Sequence, residues 1–172
     1  MAMNEKFSSE FSVQICALLD QAVEKIDHCL DQLDDEQIWW RPEKGLNSIG
    51  NLLLHICGNL RQWCIVPVND LPDNRKREAE FTTDHMDRKE LLDLVNSTVG
   101  EAKQSIRRIA GHQLLSQKLI QGFHVNLMNA LLHTTTHFQG HTHQIIYLTR
   151  LQKKETYRFH FTVESDRNSV PM

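Results

Sequence analysis

Residues 126–151 read NLMNALLHTTTHFQGHTHQIIYLTRL, a single long helix-like stretch that holds four of the chain's 10 histidines. His133, His137 and His141 recur every four residues within it. That spacing stacks side chains one turn apart on one helix face. With His137 at 0° and about 100° per residue, His141 falls near +40°, His133 near −40° and Gln144 near −20°. Ala130, Leu148 and Leu151 share the stripe, so the line of imidazoles begins and ends apolar. A bundle helix turns such an arc inward. His143 lies about 120° away and cannot join the cluster.

Helical periodicity extends outward from this stretch. A first helix is expected from about Phe7 to Leu33, with Phe11, Ile15, Leu18, Leu19, Ala22, Ile26 and Leu30 at spacings of three and four. Residues 34–37 can begin a helical turn, and Pro42 and Gly45 then break the pattern. Asn47 or Ser48 caps a second helix running to about Val66. Residues 67–87, with Pro67, Pro72, Asn74 and many charges, read as a long surface connection. Asp87 and Glu90 resemble a capping box opening a third helix to about Ala110, with Leu91, Leu94, Val95, Thr98, Ala102, Ile106 and Ile109 along one side. A connector without assigned structure leads past Gly122 into the fourth helix. Beyond Leu151 the chain turns polar, and the alternation of Tyr157, Phe159, Phe161 and Val163 has strand period but no partner strand. The expectation is an all-α four-helix bundle over residues 1–152, with a polar tail over 153–172 packed on the bundle or at a dimer contact.

Composition narrows the partners. A chain of 172 residues and 20.0 kDa is most simply one domain with a proper core. A net charge of −3 and a pI near 6.3 argue against a nucleic-acid surface. The short run Arg75-Lys76-Arg77 reads as solvated surface. No apolar run approaches the ~20 residues that span a bilayer, and the N-terminus lacks a signal-peptide pattern, so a cytoplasmic protein is expected. Cys16, Cys29, Cys57 and Cys64 form no C-x-x-C pair and read as small core residues, with a thiol nucleophile at Cys57 or Cys64 as the alternative.

The second helix carries a matching polar strip. With His55 at 0°, Asn51, Asn59 and Gln62 fall within about 40°, beside an apolar arc containing Leu52, Ile56 and Trp63. Imidazoles buried without partners cost about 1–3 kcal/mol each. One metal ion is an economical partner for several of them, and hydrogen-bonded boundary histidines are the plain alternative. His55 is a candidate third ligand beside either His133/His137 or His137/His141, which share one spacing. Neutral imidazoles suit a divalent transition metal, zinc or nickel foremost, rather than Mg²⁺ or Ca²⁺. Three ligands leave open positions, the catalytic pattern, at which water is activated or a thiolate held. The zinc-protease motif fails: Phe138 stands where its Glu would be, and no carboxylate lies on the histidine stripe. Trp40 and Trp63 are either pocket walls or plain core.

Two segments together resemble a family. Residues 137–148, HFQGHTHQIIYL, look like the final-helix signature of the DinB-like (YfiT-like) superfamily, and residues 48–55, SIGNLLLH, look like its second-helix motif. The sequence departs from that pattern at His143, where the family usually has glycine. The resemblance implies a four-helix bundle, commonly a homodimer, holding a divalent metal on His55, His137 and His141. It favours the His137/His141 register, with Gln144 orienting a ligand or bound water and Asn51 touching a metal-bound substrate. Members are often described as metal-dependent hydrolases, and many have no established reaction; for this chain a small-molecule substrate is expected. Several are transferases or isomerases that use a low-molecular-weight thiol such as bacillithiol, mycothiol or glutathione. A metal-dependent hydrolase is the leading expectation, followed by a thiol transferase and a non-enzymatic metal-binding helical dimer.

Overall fold

The Asn126 side chain accepts the Asn129 N–H and so starts the decisive helix, α7 (Leu127–Lys153), which runs unbroken until Lys154 adopts a positive φ of 51°. The computed structural model describes residues 2–161. Helix α1 (Ala2–Leu30) begins before Phe7 and ends before Leu33, although Leu33 remains buried. Asp34 and Gln37 exchange capping bonds around the short α2 (Asp35–Trp39). Ser48 does the same with Asn51 at the start of α3 (Ile49–Leu60). The helix continues through a wide π turn, Arg61–Ile65, into α4 (Val66–Val68). Pro67 explains the widening, because it has no N–H to donate to Trp63 and its ring crowds that carbonyl.

Helix α6 (Arg88–Arg107) starts where expected, with Asp87 N–H donating to Glu90, but stops before Ala110. It packs on α1 and on α3, and α7 also packs on both, which places α1 and α3 at opposite corners of a four-helix bundle. Ile15, Leu19, Ala22, Ile26, Leu53, Ile56, Leu91, Val95, Ile106, Phe138 and Ile145 fill its centre. All four cysteines are buried. Burial pushes the Cys57 thiol up to about 12 and raises Cys64 as well, so neither serves as a nucleophile at neutral pH. Leu18 and Leu151, read as core-facing, are instead exposed at the stripe edges.

Two connections are more structured than expected. The stretch 67–87 contains α5 (Arg77–Thr82), docked against α3. The connector before α7 forms a hairpin of β1 (Gln117–Ile120) and β2 (Phe123–Asn126), paired antiparallel with Ile120 opposite Phe123. Its turn residues Gln121 and Gly122 both have positive φ, 52° and 84°, the backbone a two-residue hairpin requires. After α7 the chain does not form a strand over residues 157–161. The Arg158 backbone N–H donates to Gln32 and its carbonyl accepts from His28, tying this segment to the end of α1. Val163 lies outside the described residues. No helix among the described residues is long and apolar enough to cross a membrane.

Candidate metal centre

His137 and His141 project from consecutive turns of α7 toward His55 on α3. One nitrogen from each of the three lies within 4.8 Å of the others. His55 Nε2 and His137 Nε2 are 3.0 Å apart. Two imidazole nitrogens on one tetrahedral zinc, each with a bond of about 2.05 Å, would be separated by ~3.3 Å. The His55–His137 spacing therefore fits a shared divalent ion after a shift of a few tenths of an ångström, and the His141 nitrogen lies within 4.8 Å of both.

Each outer histidine nitrogen matters to this fit. Gln144 Oε1 lies 2.7 Å from His141 Nδ1, which donates to it and leaves Nε2 free as a ligand. On the far side of His55, the Glu80 carboxylate lies 3.0 Å from Nδ1. An ionised carboxylate only accepts, so this contact puts the proton on Nδ1 and the lone pair on Nε2. Arg75 grips the same carboxylate with both arms of its fork, Nε on Oε1 at 2.6 Å and Nη2 on Oε2 at 2.7 Å. Burial alone would raise the Glu80 pKa, but the hydrogen bonds and charges of Arg75 and His55 outweigh it and hold the carboxyl below its usual range.

The electrostatics favour neutral imidazoles. Burial, assisted by the positive charge that His141, His55, His133 and Arg75 would place nearby, pushes His137 down to about 4. His141 is also lowered, mainly by burial. A metal ligand must offer a lone pair, so this environment prepares both for coordination near neutral pH. One side of the cluster opens into a pocket of about 370 Å³ lined by His133, Thr136, His137, Gly140, His141 and Gln144. A larger cavity, about 720 Å³, lies elsewhere, between the start of α1 and the end of α6. There Ser8 and Ser12 donate to backbone carbonyls and Asp20 pairs with Lys103.

The rival ligand His133 stays outside the cluster. Its exposed ring packs at a 41° tilt against Trp63 with centroids 4.2 Å apart, and it lines the pocket with its ring near-parallel to that of His137, centroids 5.9 Å apart. His143 points away and its Nδ1 donates to the Gln139 carbonyl. Trp63 is buried against Ile120 and Ala130, whereas Trp40 is part-exposed on the turn after α2. Asn51 does not reach the pocket. It is fully buried, its Oδ1 accepts from Ser48 and its Nδ2 donates to the carbonyls of Glu80 and Thr83. The expected substrate contact is thereby replaced by an anchor for α5.

Sequence reasoning missed Glu80 and Arg75, both on the stretch read as surface connection. Arg75 is not solvated: its side chain is 6 % exposed. Glu80 sits between Ala79 and Phe81, and Phe81 packs 4.9 Å from the His55 ring. A carboxylate flanked by apolar residues, five positions after an arginine, was the available signal.

A helical bundle with three convergent imidazoles between α3 and α7 is what the resemblance to the DinB-like superfamily implied. The crystal structure of a DinB-like protein from Bacillus cereus ATCC 10987 matches with a TM-score of 0.67 at 16% identity, covering 87% of this chain and 95% of that one. At that identity the likeness speaks for the fold, and it agrees with the resemblance carried by residues 48–55 and 137–148. The chain belongs to the family described as "Protein of unknown function (DUF1572)", whose model matches residues 6–166. None of the curated proteins matches it.

Proposed function

We propose that this chain is a metal-dependent enzyme, a hydrolase of a small molecule that works through one divalent ion on His55, His137 and His141. The observation carrying this reading is the convergence of three imidazole nitrogens beside an open pocket. Zinc or nickel suits such donors best, and when bound supplies Lewis acidity toward a coordinated water or substrate atom. The chain's own residues do the rest. Glu80 and Gln144 fix two of the rings, and burial keeps His137 and His141 unprotonated. His133 offers a proton acceptor at the mouth of the pocket. A reducing, cytoplasmic setting suits the four buried thiols, and a homodimer belongs to the same reading.

One feature favours a second reading, a thiol-dependent transferase. No carboxylate is among the residues lining the pocket, and both Glu80 oxygens are engaged by Arg75 and His55. Water needs help to lose a proton, whereas a thiol with a pKa near ~8.5 needs far less. Cobalt-substituted protein separates the two. Addition of glutathione or bacillithiol should leave the visible spectrum of a hydrolase unchanged and shift that of a thiol transferase. Metal content by plasma mass spectrometry is the prior test. A parent protein that holds no metal after exposure to Zn²⁺ and Ni²⁺ would end both readings.

A further inference from the structure

Asn51, His55, Gly58 and Gln62 follow one another along α3 and its π turn at spacings of four, three and four, and all four touch one segment, residues 73–83. Asn51 Nδ2 donates to the backbone carbonyls of Glu80 and Thr83. His55 Nδ1 donates to Glu80. Gln62 Oε1 accepts from Arg75 Nη1 at 2.8 Å, and its Nε2 donates to Asp73 at 2.5 Å. Gly58 contributes by having no side chain: a Cβ there would lie 2.0 Å from Glu80 Oε1 and 3.0 Å from Arg75 Nε. Any larger residue would push the carboxylate out of its seat. Gln62 also accepts from Gln121 at the hairpin tip, so the same seat is braced from the second structured connection.

We infer that the Arg75–Glu80 pair, seated on this stripe of α3, presets His55 as an Nε2 ligand before any metal arrives; this extends the metal-centre reading and makes Glu80 a positioning residue. The fork of Arg75 fixes the carboxylate in place, and the carboxylate fixes the tautomer and direction of the imidazole. A second donor, Arg75 Nη2, lies 3.2 Å from His55 Nδ1. It already has acceptors in Glu80 Oε2 and the His55 carbonyl, so the proton belongs on Nδ1. Arg75 also cancels the Glu80 charge, which leaves the Lewis acidity of a bound cation undiminished, and it keeps both carboxylate oxygens from acting as a base at the pocket. Partners of this kind behind a metal-ligating histidine typically govern 10–100-fold in affinity.

The test uses the full chain and zinc. Long-range ¹H–¹⁵N spectra of the metal-free parent should show the His55 proton on Nδ1 alone, with no change of tautomer when zinc is added. Chelator competition should show Glu80→Gln binding zinc at least tenfold more weakly, with an altered cobalt spectrum that His143→Ala does not share. A His55 proton on Nε2 in the metal-free parent would overturn the proposal, and that measurement needs no variant to fold. So would Glu80→Gln binding zinc within twofold of the parent. A parent that binds no zinc at all would overturn the metal-centre reading itself, and the positioning role with it, whatever the tautomer.

Discussion

The two halves of the candidate centre are built on different principles. His137 and His141 hang from one uninterrupted helix, and their juxtaposition follows from 3.6 residues per turn. Within that helix Gln144 supplies the partner for His141 three residues on. The α3 half is assembled from distant parts. His55 depends on Glu80, which depends on Arg75, on the clearance left by Gly58, and on Asn51 holding the backbone of α5. A local half tolerates change outside its own helix. An assembled half transmits any disturbance of residues 73–83 to the ligand.

The sharpest break in this comparison comes from the local half. His137→Ala should reduce bound divalent metal from near one ion per chain to background while the helical circular dichroism is retained, because the central ligand is lost and no fold-bearing contact goes with it. Metal content by mass spectrometry checks this. The assembled half should respond in stability. Glu80→Ala leaves the Arg75 guanidinium buried and unpaired, and breaking a buried pair from one side costs about 3–5 kcal/mol. Urea midpoints of the metal-free proteins would read it. A midpoint unchanged from the parent would mean that α5 is not held by this pair.

Acid should act on the local half. His137 titrates at about 4 in the folded protein, against an ordinary value of 6.5 once unfolded. Between those values the unfolded chain takes a proton that the folded chain refuses. This contribution to stability is therefore full above pH 6.5, falls as the pH falls, and is gone below about 4. His141 shifts in the same direction. Melting temperatures of the metal-free protein should drop across that window, and His137→Gln should flatten the slope. A smaller effect is expected for Gln144→Ala, about tenfold weaker zinc binding by chelator competition, since it orients one ligand without replacing it. The smallest belongs to His133→Ala, which should leave zinc affinity unchanged because His133 packs against Trp63 outside the cluster. Loss of zinc with His133 would return it to the ligand set.

The four long helices were legible because each buries an amphipathic face, and a repeat of three and four marks that face wherever the chain is uninterrupted. Ile15, Leu19, Ala22 and Ile26 on α1, and Leu91, Val95, Ala102 and Ile106 on α6, lie where the periodicity put them. The hairpin was missed because its strands are four residues each and its turn is announced only by Gln121-Gly122. In the Arg75-Lys76-Arg77 run only Arg75 was misread, since Lys76 and Arg77 are exposed as expected; a charged residue looks the same in sequence whether it meets solvent or a buried carboxylate. Asn51 was placed on the correct face of α3 but given the wrong neighbour, since the wheel says where a side chain points and nothing of what arrives there.

By itself, the sequence determined the helices, the bundle, and the stacking of His137 with His141, all consequences of short-range geometry within one segment. Tertiary structure alone decided that His55 faces them across 82 positions of chain, that Glu80 and Arg75 stand behind it, and that His133 stays outside. Those contacts join residues whose separation along the chain carries no period, so only the packing of α3, α5 and α7 could bring them together.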